Sequence, residues 1–353
     1  MINGHGDDLF RYGNIVANFS SNVYNDVDHT PLWDHLKRRM ECMVSYPEPQ
    51  PYTLEEKIAR KLGVGEGNVC VTNGATEAIY LVAQLLKGSR SAIYVPTFSE
   101  YGDACKVHSH SVVEVVELES LRKICREEKT DVVWICNPNN PTGRVLDKGE
   151  LVSLVKEFPQ VIFVLDQSYA FFTGQEVVSV EEGIALGNVI MLHSMTKRYA
   201  VPGVRLGYIT ADAQLLERVR KVRMPWSVNA FAIETGLFLL QHDISATTDI
   251  AVLLARSCNL AERISALGGG AYFKVEPTHT HYMLVKIVKE LCYGSGERSA
   301  SAAVLKEHLA NNCGILIRDA SNFATLGEGH FRIATQRESE NEMLIKALEM
   351  LCI

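Results

Sequence analysis

A lysine stands where Ser194-Met195-Thr196-Lys197 leaves an apolar run, and Pro202-Gly203-Val204-Arg205-Leu206-Gly207 follows it. An amine at the end of a buried strand, in a site at the carboxyl edge of a sheet, has its pKa lowered by desolvation and by any nearby cation. Relieved of its proton, it can form an imine with a carbonyl. Arg205, eight residues on, is placed to supply that cation. On its own, the segment reads as a surface lysine. A second candidate, Asp166, ends Phe163-Val164-Leu165-Asp166 and precedes Gln167-Ser168-Tyr169. A buried carboxylate is costly unless paired. It suits a protonated ring nitrogen, or it caps the next helix.

The third segment is Thr72-Asn73-Gly74-Ala75-Thr76-Glu77. A glycine turn there joins a strand to a helix, and the free N–H groups and dipole of such a turn favour a phosphate. A plain strand-to-helix turn is the other reading. The fourth is Asn137-Pro138-Asn139-Asn140-Pro141-Thr142-Gly143, more constrained than a polar turn requires because two prolines fix φ. No Gly-x-Gly-x-x-Gly and no Walker lysine occurs, so neither a dinucleotide nor a nucleoside-triphosphate site is indicated.

These segments need a frame, and the hydrophobic pattern predicts one. Short β-branched apolar runs at 69–72, 92–95, 112–116, 132–136, 161–165, 189–193 and 206–209 alternate with helical patterns near 75–87, 101–109, 119–128 and 148–157. Continuous apolar runs suit strands buried on both faces. Alternation with helices predicts an α/β fold whose large domain holds a mostly parallel seven-stranded sheet flanked by helices. A long helical stretch over 212–266, broken near Pro225, ends at Gly268-Gly269-Gly270. Strand-like runs at 281–287, 314–318 and 330–335, with helices near 299–312 and 338–352, make a smaller α+β domain. The predicted organisation is residues 1–45 as an arm and part of the small domain, 46–240 as the large domain, and 241–353 as the small domain. The arm carries one short helix, 31–43. Tyr46–Tyr52 is Pro-rich and reads as a stiff linker.

Of 353 residues, 35 are Lys or Arg and 42 Asp or Glu, a net charge of −7. That excludes the usual basic nucleic-acid binder and leaves no polybasic patch for a membrane. No apolar run reaches a membrane span, and the first residues do not read as a signal peptide. Nine scattered cysteines without a Cys-x-x-Cys pair read as reduced thiols in the cytoplasm. No metal site is expected: His279 and His281 lack a carboxylate or Cys partner and read as surface residues, while Trp33 and Trp134 read as packing.

In this order and spacing, the four segments resemble the aspartate-aminotransferase-like (fold type I) pyridoxal-phosphate enzymes, over nearly the whole chain from Phe19. The resemblance implies roles residue by residue. Lys197 matches the lysine that holds the cofactor as an imine and later shuttles a proton. Asp166 matches the partner of the pyridine N–H, which keeps the ring an electron sink. Asn140 and Tyr169 match the groups on the ring hydroxyl, and Tyr101 the aromatic stacked on the ring. Gly74, Ala75, Thr76, Ser194 and Arg205 match the phosphate cup, completed by a neighbouring subunit's tyrosine, assigned here to Tyr52. Arg332 resembles the arginine gripping the substrate α-carboxylate, a task for a planar fork. The family implies a homodimer with a shared site.

Within the family, Met224-Pro225-Trp226-Ser227-Val228-Asn229, Asn18-Phe19-Ser20-Ser21-Asn22 and Phe98-Ser99-Glu100-Tyr101-Gly102 lean to threonine-phosphate decarboxylase of cobalamin biosynthesis. His5, Gly6, Asn22 and Arg318 then join Asn140 and Arg332 as substrate-binding residues, for a phosphorylated amino acid. Histidinol-phosphate aminotransferase, with 2-oxoglutarate, is the alternative, and a non-catalytic pyridoxal-phosphate-binding protein a remote third. Asp7-Asp8, Pro51 before Tyr52, and Gln167 depart from the family pattern.

Overall fold

The computed structural model describes residues 7–127, 129–245, 247–294 and 296–353. Its strands, in chain order, begin with β1 (Ala17–Asn18), β2 (Val69–Thr72), β3 (Arg90–Tyr94), β4 (Ser111–Val115) and β5 (Val132–Cys136). There follow β6 (Ile162–Asp166), β7 (Val189–Ser194), β8 (Gly207–Ala211), β9 (Phe273–Val275) and β10 (Tyr282–Ile287). The last are β11 (Leu291–Cys292), β12 (Arg298–Ser299), β13 (Ile315–Leu316), β14 (Arg318–Asp319) and β15 (His330–Ala334).

Seven of them form one sheet in the order β2-β8-β7-β6-β5-β3-β4, parallel throughout except for β8, which runs against both neighbours. The fold is the expected α/β architecture. β5 shows why its sequence is apolar without alternation. Trp134 and Cys136 pack with the helices Gly74–Leu85 and Ala213–Val222 on one face, and Val133 and Ile135 with Lys148–Glu157 on the other. Both faces are covered, so both parities are hydrophobic. The consequence for chemistry is positional. The carboxyl ends of β2, β5, β6 and β7 lie along one edge, beside the start of β8.

The smaller unit is an antiparallel sheet, β14-β15-β10-β9, under the helices Ile250–Gly270 and Glu338–Glu349. The start of the arm packs with it: β1 pairs with β13, and Ala17 and Phe19 are buried in the same core as Phe331 and Leu348, whereas the arm's helix packs on Ala230–Gln241 through Leu32 and Arg39.

Several expectations need correction. The stretch 212–266 is three helices, Ala213–Val222, Ala230–Gln241 and Ile250–Gly270. The second break lies in the polar run after Gln241, where Asp249 caps the next helix by accepting from the Val252 N–H at 3.1 Å. The run 314–318 is two short strands, and β9, β11 and β12 were not foreseen. The arm's helix ends at Arg38 and continues as a 3₁₀ turn, Met40–Val44. Trp134 is wholly buried, but Trp33 is 57% exposed, stacked on His29. His281 is fully buried against Phe172, not on the surface; its place in the strand-leading turn puts it inward, whereas His279 is exposed. Among the described residues no helix is long and apolar enough to cross a membrane, and no cluster is placed to hold a metal ion.

Candidate active site

A cavity of about 200 Å³ opens at the carboxyl edge of the large sheet, where the small sheet and the arm meet it. Its lining includes Ala75, Thr76, Tyr101, Asn140, Asp166, Tyr169, Ser194, Lys197, Arg205 and Arg332. Residues from six separate stretches of chain therefore converge.

Most are delivered by strand ends or the turns just after them; Tyr101 comes from the helix Glu100–Val107 and Arg332 from within β15. Asp166 is the last residue of β6 and 4% exposed. Its Oδ1 accepts from the Ser168 N–H at 2.8 Å and its Oδ2 from the Tyr101 hydroxyl at 2.7 Å. Burial pushes its pKa up, since no cation donates a hydrogen bond to it. Tyr101 lies flat against Trp134, ring centroids 5.7 Å apart. In this protein the tyrosine is thus tethered to the carboxylate as well as facing the cavity.

Lys197 follows β7 in the short helix Met195–Arg198. It is partly exposed, and what it faces is the cavity. Its Nζ donates to the Ser21 carbonyl at 3.0 Å and lies 5.9 Å from the centre of the Tyr169 ring. Burial first, and the charge of Arg332 second, push its pKa down to about 8. Arg205 acts in the same direction but less, so the cation expected to matter most from the sequence is not the principal one. Tyr169 has its hydroxyl within 3.4 Å of the Asn22 amide, and burial pushes its pKa up to about 12.

At the other edge, the helix Gly74–Leu85 starts at the cavity. Gly74 has φ +74°, and a Cβ there would stand 2.6 Å from an Arg205 guanidinium nitrogen. Gly207 is as tightly placed, since its Cβ would meet the Ala75 nitrogen at 2.7 Å. The two glycines let a helix N-terminus and a guanidinium share one small space, a cradle for an anion.

Arg332 is buried in β15, donates to Asn140 Oδ1 and to the Ser20 carbonyl, and has a buried Nε with no partner among the described residues. Arg318 stands directly opposite it in the β14–β15 register. It is 6% exposed, and burial with the charge of Arg332 lowers its pKa to about 10. Two adjacent buried guanidiniums answered mainly by neutral oxygens form a strongly electropositive place. Arg318 does not line the cavity itself, and Asn22 stands behind Tyr169. Tyr52 is 55% exposed and not part of the lining, and His5 and Gly6 lie outside the described residues. The sequence did not point to Asp7, Ser20, Ser21, Cys136 or Thr196, which also line the cavity. No strand-end motif carries Asp7, Ser20 or Ser21; their place depends on how the arm docks.

Residues 14–348 match the model of the family described as aminotransferase class I and II. The chain belongs to this family. Enzymes of the class I and II aminotransferase family depend on pyridoxal phosphate. Among solved structures, the chain is similar to L-threonine-O-3-phosphate decarboxylase from Porphyromonas gingivalis, with TM-score 0.87 and 37% identity over 95% of this chain and 98% of that one. It is 28% identical to threonine-phosphate decarboxylase of Salmonella typhimurium, covering 88% of this chain and 84% of the relative. It is 27% identical to histidinol-phosphate aminotransferase of Desulfitobacterium hafniense, over 86% and 82%.

The cavity fits the family's cofactor. The buried Asp166, hydrogen-bonded only to neutral donors, suits a cationic N–H, the cradle at Gly74 suits a compact anion, and Lys197 offers an amine of lowered basicity for an aldehyde.

Proposed function

We propose that this chain is a pyridoxal-phosphate-dependent carboxy-lyase that releases CO₂ from a phosphorylated amino acid, L-threonine O-3-phosphate, to give aminopropanol phosphate. The observation that carries the reading is the 37% identity to a decarboxylase of that substrate over almost the full length of both chains. The buried Arg318–Arg332 pair supports it, because the substrate brings two anionic groups.

When bound, the cofactor supplies an electron sink for the pair left at Cα. The chain's residues do the rest. Ala75, Thr76 and Arg205 hold the cofactor phosphate, and Asp166 accepts from the ring nitrogen and keeps it protonated. Tyr101 packs on the ring, while Asn140 and Tyr169 hold its hydroxyl. Lys197 would hold the cofactor through its amine and, once the substrate amine has displaced it, would be free to deliver a proton to Cα. Arg332 would grip the carboxylate, and Arg318, paired with it in β14–β15, would add positive charge that favours the phosphate. Two fixed grips set which bond at Cα stands perpendicular to the ring and breaks. The same residues would serve an aminotransferase if that bond were Cα–H, and the similarity to histidinol-phosphate aminotransferase keeps this second reading open.

The working form in this reading is a cytoplasmic homodimer. Met43, Val44, Tyr46 and Trp226 are exposed in one stretch of surface, and the exposed Tyr52 would reach the partner's cofactor phosphate. The free cysteines fit a reducing compartment. The test is a two-substrate comparison. The cofactor-loaded protein should release CO₂ from phospho-threonine and form no glutamate from histidinol phosphate with 2-oxoglutarate. Glutamate without CO₂ would move the assignment to the aminotransferase.

A further inference from the structure

Asp7 lines the cavity together with Ser20, Lys197 and Arg332. It is held there by specific contacts. Its N–H donates to Ser20 Oγ at 3.0 Å, and the Asn18 amide donates to its carboxylate at 2.6 Å. Its φ is +66°, in the left-handed region that Asp enters more readily than most residues with a side chain. The chain beyond it is tied to the helix Ala302–Cys313. Lys306 Nζ lies 2.6 Å from the Asp8 carboxylate, and the Tyr12 hydroxyl donates to Glu307 at 2.6 Å. The arm therefore sets a carboxylate in the cavity and anchors it through Asp7 itself and the chain that follows.

The charges on the cavity wall then define what can enter. Lys197, Arg205 and Arg332 are the cations, Asp7 and Asp166 the carboxylates. Under the proposed function, which this inference rests on, the cofactor takes Asp166 and Arg205. Arg332 and Asp7 remain for the substrate, on the side of the cavity that Lys197 faces. Asp7 and Lys197 line the same cavity, so the carboxylate stands on the side where an incoming amine meets Lys197.

A free amino acid arrives with both an ammonium and a carboxylate. A 2-oxo acid brings carboxylates alone. We infer that Asp7 is a specificity-determining residue: with Arg332 it makes the cavity accept zwitterionic amino acids and exclude 2-oxo acids. Arg332 takes the α-carboxylate, and the Asp7 carboxylate accepts a hydrogen bond from the incoming ammonium, a donor that a 2-oxo acid lacks. The distinction bears directly on the reaction. An aminotransferase must bind a 2-oxo acid in the same site to complete its cycle, whereas a carboxy-lyase never does. A carboxylate fixed at this place favours the second behaviour.

The experiment measures binding, so it does not depend on turnover. The cofactor-loaded protein is titrated with 2-oxoglutarate by calorimetry, as wild type, Asp7→Asn and Asp7→Glu. Removing the like charge should tighten 2-oxoglutarate binding about tenfold in Asp7→Asn. Asp7→Glu, which keeps the charge, should bind it as weakly as the wild type. The KM for the amino-acid substrate should rise in Asp7→Asn and be restored in Asp7→Glu. Unchanged 2-oxoglutarate affinity in Asp7→Asn, or equal gains in both variants, would overturn the inference. A lack of CO₂ release from phospho-threonine would instead count against the proposed reaction, and the binding comparison would still be readable.

Discussion

The two ends of the cavity are assembled differently. On the proposed cofactor side, Gly74, Asp166 and Ser194 stand at or within two residues of the carboxyl ends of β2, β6 and β7. The ladder sets their spacing: Asp166 pairs with Leu192, and Ser194 with Gly207. On the substrate side, Lys197 and Arg332 donate to the carbonyls of Ser21 and Ser20, which lie 176 and 312 residues away in the chain. That side exists only when the arm docks against the small sheet. The first side is a property of one rigid sheet; the second is an agreement between distant segments. The comparison implies that cofactor affinity and substrate affinity can be damaged separately.

Asp166→Asn should give the largest break on the sheet side. It keeps the shape and the Tyr101 contact but removes the charge opposite the ring nitrogen. The expected loss in kcat is about 10²–10³-fold, the scale of deleting a preorganised electrostatic partner. The cofactor's absorbance should still be present in the purified protein. Near-normal kcat would mean that the ring is not held at Asp166. Arg332→Lys should act on the other side alone. A single ammonium cannot reproduce a two-pronged grip, so KM should rise about 10–100-fold while cofactor affinity stays within error. If cofactor affinity falls as much as KM rises, the two sides are not separable.

Gly74→Ala sharpens the comparison from the cradle side. The added Cβ meets Arg205 and forces a left-handed φ on a residue that resists it. Cofactor affinity, followed by equilibrium dialysis, should weaken about tenfold, with KM unaffected at saturating cofactor. The smallest effect is in pH. Lys197 is held down near 8, so its neutral form increases as pH rises through that value and is nearly complete above it. The rate of cofactor uptake by the free protein should climb through about pH 8 and level off about one pH unit above it. An ordinary lysine would keep climbing past about pH 10.

The same division governs what could be read from the sequence. Lys197, Asp166, Asn140 and the Gly74 turn follow strands whose unbroken apolar runs announce burial on two faces, so local pattern and motif agreed. Arg332 was visible for the same reason, a charge inside an apolar strand. Asp7, Ser20 and Ser21 were not, because the arm has no periodicity and its position is decided by contacts with β13 and the helix Ala302–Cys313. His281 was misjudged because alternation in a short run does not say which parity faces the core. The break after Gln241 was missed although Asp249 is an ordinary capping residue, since the apolar helices on either side outweighed it.

One measurement bears most directly on the account. The protein is loaded with pyridoxal phosphate, treated with borohydride and digested, and the labelled peptide is sequenced by mass spectrometry. The label should fall on Lys197 and nowhere else. Lys197→Ala should carry none, lose at least about 10⁴-fold in turnover and melt close to the wild type, since the change removes an amine and no core packing. A label on another lysine, or no covalent label at all, would contradict the reading of this cavity as the cofactor site.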